Sequence, residues 1–238
     1  FEAHLLLAID SLKKKNYVKS KEHLQRAYEF INNDRLSLII AETLKQYLYV
    51  FEENKISKIK NKFGNFSFIN EVFQRCYLND KDTKTYFKNL INSQTEDYSR
   101  YIFFYINYLI ENDGYDEAKN ITDNLDYLNS SLLISQGKKW IEDKKLGEFK
   151  KIFSCNDPTD IVSELFFLVS NLYSSQKNYE NSNFYLNISY YLNPKFKFNL
   201  SLLAENYYLN KDYTKTLKIL ESFNKKDEFY YWFKLKKE

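Results

Sequence analysis

The segment NYENSNFYLNISYYLNP, residues 178–194, begins with Asn-Tyr and ends with Asn-Pro, and its apolar residues recur at helical spacing. Asp212-Tyr213 repeats the same pair of a polar turn residue and a tyrosine 34 residues further along. A helical period between two equivalent turns predicts a helix hairpin that is repeated along the chain. The Asn-Pro pair predicts the end of a helix, because proline cannot donate a backbone hydrogen bond.

Composition extends this prediction to the whole chain. The 238 residues include only 4 Gly and 2 Pro, whereas 44% are hydrophobic. Sheet-rich proteins need many turn residues, so this composition favours long helices joined by short polar turns. The apolar period predicts about fifteen helices, in seven hairpins plus one final half-repeat, within a single domain over residues 1–238. The lysine-rich stretch KISKIKNK, residues 55–62, is predicted to be a short amphipathic helix.

Residues of similar type stand at matching positions of the predicted hairpins. In the hairpin that starts at Ser163, these residues are Tyr173, Tyr179, Ser182, Leu186, Ser189 and Pro194. The hairpin that starts at Lys197 has Leu200, Leu203, Ala204, Tyr207, Tyr213, Thr216 and Leu220. This pattern resembles the tetratricopeptide repeat (TPR), in which small residues sit where the helices cross and an aromatic follows the turn. The resemblance implies an all-α fold, a right-handed α-solenoid of antiparallel helix hairpins.

The C-terminal stretch YYLNPKFKFNLSLLAENYYLNKDY, residues 190–213, together with the closing FYYW resembles a narrower group, the proteobacterial proteins built mainly of these repeats. Such proteins are generally exported or associated with the envelope, so the resemblance favours the periplasm or envelope over the cytoplasm. Four consecutive aromatics, Tyr230 to Phe233, end the chain in one short helix. We expect either that the natural protein continues past Glu238 or that this helix mediates self-association.

Net charge and the reactive side chains argue against several classes of function. The net charge is +3, from 35 basic and 32 acidic residues, so the basic excess of a nucleic-acid binder is missing. No apolar run is long enough to span a membrane. The two histidines, His4 and His23, lack further ligands, and we expect no metal, no cofactor and no enzymatic activity. Cys76 and Cys155 are interpreted as buried free thiols, with a long-range disulfide as the alternative.

The resemblance also implies a concave groove lined by the first helix of each hairpin. The groove positions in three hairpins are Arg100, Phe103 and Asn107; Glu164, Phe167 and Asn171; and Phe198, Glu205 and Tyr208. A phenylalanine is followed four residues later by an asparagine in the first two sets, so each pair shares a helix face. Amide and aromatic side chains suit an extended peptide. Ordinary packing of the phenylalanines and solvation of the asparagines is the alternative.

The leading hypothesis is therefore a non-enzymatic scaffold that binds a peptide or protein partner on its concave face. The alternative is a helper repeat domain of a larger enzyme or of a secretion or envelope-assembly machine. A helical RNA-binding array is a third class, and the balanced charge argues against it.

Overall fold

The computed structural model describes residues 1–32, 34–58, 63–92, 99–125, 132–225, 227 and 229–237. This part contains fourteen α-helices, one short 3₁₀ helix at Lys197–Asn199 and no β-strand, which confirms the all-α prediction. The α-helices are α1 (Glu2–Lys13), α2 (Tyr17–Tyr28), α3 (Arg35–Glu53), α4 (Asn65–Tyr77), α5 (Thr83–Ile91), α6 (Ser99–Glu111), α7 (Tyr115–Asp123), α8 (Leu132–Glu142), α9 (Gly147–Ile152), α10 (Pro158–Ser175), α11 (Tyr179–Leu192), α12 (Leu200–Leu209), α13 (Tyr213–Glu221) and α14 (Tyr230–Lys237). None of these helices is both long and apolar enough to cross a membrane.

The contacts divide the chain into two compact units, Phe1–Ile161 and Val162–Glu238. In the first unit, α1 to α8 pack each on the next, and α6 also contacts α8 and α9. In the second unit, α11 to α14 pack in chain order. Packing between sequence neighbours is typical of repeat architectures. The expectation of one continuous array over residues 1–238 stays a prediction.

One backbone turn closes six hairpins. In each, the second residue after the first helix has positive φ, between 46° and 63°. These residues are Lys15, Asn79, Asp113, Lys144, Lys177 and Lys211. The N–H of the following residue donates to a carbonyl five residues earlier, at 2.7–2.9 Å in all six turns. This bond defines the Schellman helix end, which satisfies a carbonyl that the helix itself leaves without a partner. The last five of these turn residues follow one another at separations of 34, 31, 33 and 34 residues.

The predicted Asn-Tyr and Asp-Tyr pairs mark the start of the second helix in three of these hairpins. Asn16, Asn178 and Asp212 each cap that helix by accepting a backbone N–H three residues on, at 3.1–3.3 Å. Side-chain oxygens at this position satisfy a donor that the first helical turn leaves free. A hydroxyl four residues after each cap then donates across the hairpin to the first helix. The bonds run from Ser20 to the Ala8 carbonyl, from Ser182 to the Ser170 carbonyl and from Thr216 to the Ala204 carbonyl, at 2.8, 2.7 and 3.4 Å.

The prediction of a helix over residues 55–62 is wrong for residues 55–58, which are the ones that the structure describes. α3 ends at Asn54 in a left-handed conformation, and residues 55–58 run on without helical structure. The Ser57 N–H instead donates to the Gln74 side chain on α4 at 2.8 Å. This tertiary bond outweighs the local helical preference of a lysine- and isoleucine-rich stretch. The rest of the predicted helix, residues 59–62, lies outside the described residues.

The cysteines form a disulfide, so the interpretation as free thiols is wrong and the alternative is confirmed. Cys76 on α4 is bonded to Cys155 in the turn before α10, with 5.6 Å between the Cα atoms. Both residues are almost fully buried. Phe73 and Phe153, each close in sequence to one of the cysteines, belong to the aromatic core of the first unit and have ring centroids 5.8 Å apart. The spacing of two distant cysteines carries no signal of this contact, because it depends on the packing of α4 against a remote turn.

Candidate functional site

The groove residues predicted on α6 lie mostly inside the first unit. Phe103 and Asn107 are 0% and 1% exposed. The Asn107 amide donates to the backbone carbonyls of Phe149 and Phe153, at 3.3 and 2.6 Å. α6 is covered because α5, α7, α8 and α9 all pack on it. Phe103 and Asn107 therefore stabilise the core, and of this set only Arg100 reaches the surface, half-buried with its guanidinium 5.3 Å from the Phe104 ring centroid.

The groove residues predicted in the second unit are placed differently. On α10, Glu164 is buried, Phe167 is half-buried and Asn171 is exposed. Around α12, Phe198 is half-buried, Glu205 is exposed and Tyr208 has 59% of its surface exposed. Five of these six positions are thus at least partly open to solvent, on α10, on the 3₁₀ helix and on α12. We call these five, Phe167, Asn171, Phe198, Glu205 and Tyr208, the unit-2 surface.

The C-terminal aromatics contribute to the second unit unequally. Phe233 is buried and stacks on Phe223 with 3.5 Å between ring centroids. Trp232 is half-buried and packs 6.0 Å from Phe198, which belongs to the unit-2 surface. Tyr231 is 77% exposed. Of these three rings, only that of Tyr231 is mostly exposed to solvent. Self-association through this helix stays a prediction.

A buried asparagine that sequence reasoning missed holds three helices of the second unit together. Asn206 on α12 is 0% exposed. Its amide donates to the Ser182 hydroxyl at 2.7 Å and to the side-chain oxygen of Asn183 at 2.9 Å, and its own oxygen accepts from the Ser174 hydroxyl at 2.6 Å. The sequence feature that could have revealed it is an asparagine at a position where the helical period predicts a buried residue. Its role is to fix the register of α10, α11 and α12, because a buried amide without partners is costly.

A cleft of about 420 Å³ lies between α2, α3 and residues 57–58 of the first unit. We call it the α2–α3 cleft. Its lining consists of Lys21, Leu24, Gln25, Tyr28, Glu42, Lys45, Gln46, Tyr49, Ser57 and Lys58. The Tyr28 hydroxyl donates to Glu42 at 2.8 Å, and burial together with this carboxylate raises the pKa of Tyr28. Tyr28 therefore stays protonated and its proton is committed to Glu42.

No described group of three His, Cys, Asp or Glu side chains is arranged to hold a metal ion. His4 and His23 lie with their rings 6.5 Å apart, and His4 stacks on Phe30 at 5.6 Å. Both histidines therefore take part in packing between α1, α2 and the residues that follow α2.

Comparison with protein-family models, with curated proteins and with solved structures finds no match.

Proposed function

We propose that the chain is a non-enzymatic interaction scaffold, a TPR-like right-handed α-solenoid that binds a peptide or protein partner. The observation that carries the proposal is the unit-2 surface. Asn171 on α10 and Tyr208 on α12 are both exposed, and they lie on the first helices of successive hairpins. An amide supplies both a donor and an acceptor to a peptide backbone, and a tyrosine covers a side chain while keeping a polar end.

The repeated turn supports the solenoid part of the proposal. Six hairpins share the same helix end, and the last five turns follow one another at 31 to 34 residues, as in repeats that stack on their neighbours and leave extended faces. The Cys76–Cys155 bond supports placement in an oxidising compartment, where disulfides persist, and so agrees with the periplasm or envelope.

Site-specific photo-crosslinking in the native host tests this function. A photoreactive phenylalanine analogue at position 171 or 208 should capture the same partner. The matched control is position 217 on α13, where Leu217 is 43% exposed on a second helix. Tyr208→Ala should weaken binding of the captured partner about tenfold, as expected for truncation of an interface aromatic. Adducts of equal yield at all three positions, or none at any, would contradict the proposed surface.

A further inference from the structure

Two charged side chains that line the α2–α3 cleft already have partners. One oxygen of Glu42 accepts the Tyr28 hydroxyl at 2.8 Å. Lys21 forms an ion pair with Glu52. A carboxylate that already accepts a charge-assisted or hydroxyl hydrogen bond offers less to a ligand cation.

Three side-chain amides lead from the backbone of residue 57 to the cleft, and we call Gln74, Asn70 and Gln46 the amide ladder. The Ser57 N–H donates to the Gln74 carbonyl oxygen at 2.8 Å. The Gln74 amide donates to the Asn70 oxygen at 3.1 Å, and the Asn70 amide donates to the Gln46 oxygen. Asn70 and Gln74 are 2% and 0% exposed.

The direction of the amide ladder follows from its first member. A backbone N–H is only a donor, so the oxygen of Gln74 must face Ser57 and its NH₂ must face Asn70. The same reasoning turns the oxygen of Asn70 toward Gln74 and the oxygen of Gln46 toward Asn70. The ladder therefore ends with the Gln46 NH₂ group as a donor. No flip of a single amide is allowed, because it would place two donors or two acceptors against each other.

The terminal donor of the ladder has no partner within the described residues. Gln46 is 7% exposed and lines the cleft, and its nitrogen makes no hydrogen bond there yet is not closed off from solvent. Lys45 and Lys58 line the same cleft, and neither forms an ion pair with a described residue. The Lys45 ammonium lies 5.5 Å from the centroid of the Tyr28 ring. Two cations and one buried amide donor thus remain for a ligand.

We propose that the α2–α3 cleft is a carboxylate-binding site. The carboxylate accepts from the Gln46 amide and is neutralised by Lys45 and Lys58, while the carbon part of the ligand lies on Leu24 and Tyr49. A donor-rich cleft whose one glutamate already accepts the Tyr28 hydroxyl favours an anion with several acceptor oxygens. The cleft shares no residue with the unit-2 surface, so this proposal is tested independently of the proposed function. A free dicarboxylic acid and a glutamate side chain of a peptide both present this chemistry.

Titration calorimetry with three probes separates these sources. The probes are glutarate, a blocked hexapeptide of alternating glutamate and leucine, and the same peptide with glutamine in place of glutamate. Binding of glutarate with an affinity equal to that of the glutamate peptide assigns the site to free carboxylates, and binding of the glutamate peptide alone assigns it to a protein segment. Absence of binding by both acids, or equal binding of the glutamine peptide, overturns the proposal.

Variants tie the binding to the cleft. Gln46→Glu keeps an oxygen for Asn70 but replaces the terminal donor by a negative charge, and should weaken the acidic probe tenfold or more. Lys45→Ala combined with Lys58→Ala changes only exposed side chains and should also weaken it about tenfold. Lys19→Ala combined with Lys81→Ala removes two exposed lysines of the same unit outside the cleft and should leave binding unchanged. An equal loss in this control pair, or an unaltered affinity in the cleft variants, overturns the proposal.

Discussion

At the scale of single residues, the six hairpins each depend on a non-glycine residue in the left-handed region. Five of the six are lysines or asparagine, with positive φ of 46° to 63°, after α1, α4, α8, α10 and α12. A side chain in this conformation costs roughly 1–2 kcal/mol relative to the right-handed region. The chain accepts this cost because the turn bonds satisfy the last carbonyls of the helix.

This cost predicts that glycine is better tolerated at a turn position than in a helix. Lys177→Gly should raise the free energy of unfolding by up to about 1 kcal/mol, since it relieves the strain at φ 61°. Lys218→Gly, an exposed position inside α13, is the matched control and should lower it by about 1 kcal/mol. Urea unfolding of both variants measures the difference, and a loss of similar size in both would contradict the left-handed turn.

Single residues also show what the sequence could and could not predict. The capping roles of Asn178 and Asp212 follow from local sequence, because a cap bonds to a neighbour three residues away. The roles of Gln46 and Asn206 do not, because their partners lie 24 residues away on other helices. The packing of Phe103 was the stated alternative to a groove position, whereas the burial of Asn107 was missed, since a helical period shows which face is apolar and not how many neighbours cover the helix.

At the scale of helices, one carboxylate joins three of them. Glu117 on α7 pairs with Lys84 and Lys88 on α5, both at 2.8 Å, and accepts the Tyr105 hydroxyl of α6 at 2.7 Å. Burial raises the pKa of Glu117, but the hydrogen bonds from both lysines and from Tyr105 outweigh burial and lower the pKa to about 2. A carboxyl whose pKa is lower in the folded chain than in the unfolded chain stabilises the fold at pH values above its ordinary pKa of 4.5. This stabilisation is lost as the pH falls toward 2.

The pairing of Glu117 therefore predicts a pH-dependent variant effect. Glu117→Gln should lower the free energy of unfolding by about 1 kcal/mol at pH 7, a size typical of partly exposed ion pairs. The difference from the parent should shrink between pH 4.5 and 2, because protonation removes the same interaction there. Thermal melts across this range measure the difference in stability between variant and parent. Glu29→Gln, which changes the exposed residue directly after α2, is the control. A difference that is constant with pH would show that Glu117 is not held ionised.

Helix boundaries show the same limit of local reasoning. α3 runs from Arg35 to Glu53 and ends where Asn54 adopts positive φ. The predicted helix over 55–62 fails in its described part because Ser57 bonds to Gln74 on α4. That bond also starts the amide ladder, so the departure from helical structure is what supplies the α2–α3 cleft with its terminal donor.

At the scale of the whole molecule, the disulfide closes a long loop in the first unit. Cys76 and Cys155 are separated by 79 residues. A crosslink over such a loop restricts the unfolded chain and contributes about 2–5 kcal/mol. Cys76→Ala combined with Cys155→Ala should lower the free energy of unfolding by that amount, and a reductant should destabilise the parent but not this variant. Parent and variant that respond equally to the reductant would contradict the bond.

The claim on which the architecture and both proposed surfaces rest is that six hairpins close on the same hydrogen-bonded turn. Residue-resolved amide hydrogen exchange by NMR tests it most directly. The N–H groups of Asn16, Asp80, Gly114, Lys145, Asn178 and Asp212 donate within the turns and should exchange slowly. The N–H groups of Tyr17, Tyr179 and Tyr213, which begin the following helices, make no backbone hydrogen bond in the described turns and should exchange fast. Fast exchange at all six turn amides, indistinguishable from these tyrosines, would contradict the repeated hairpin.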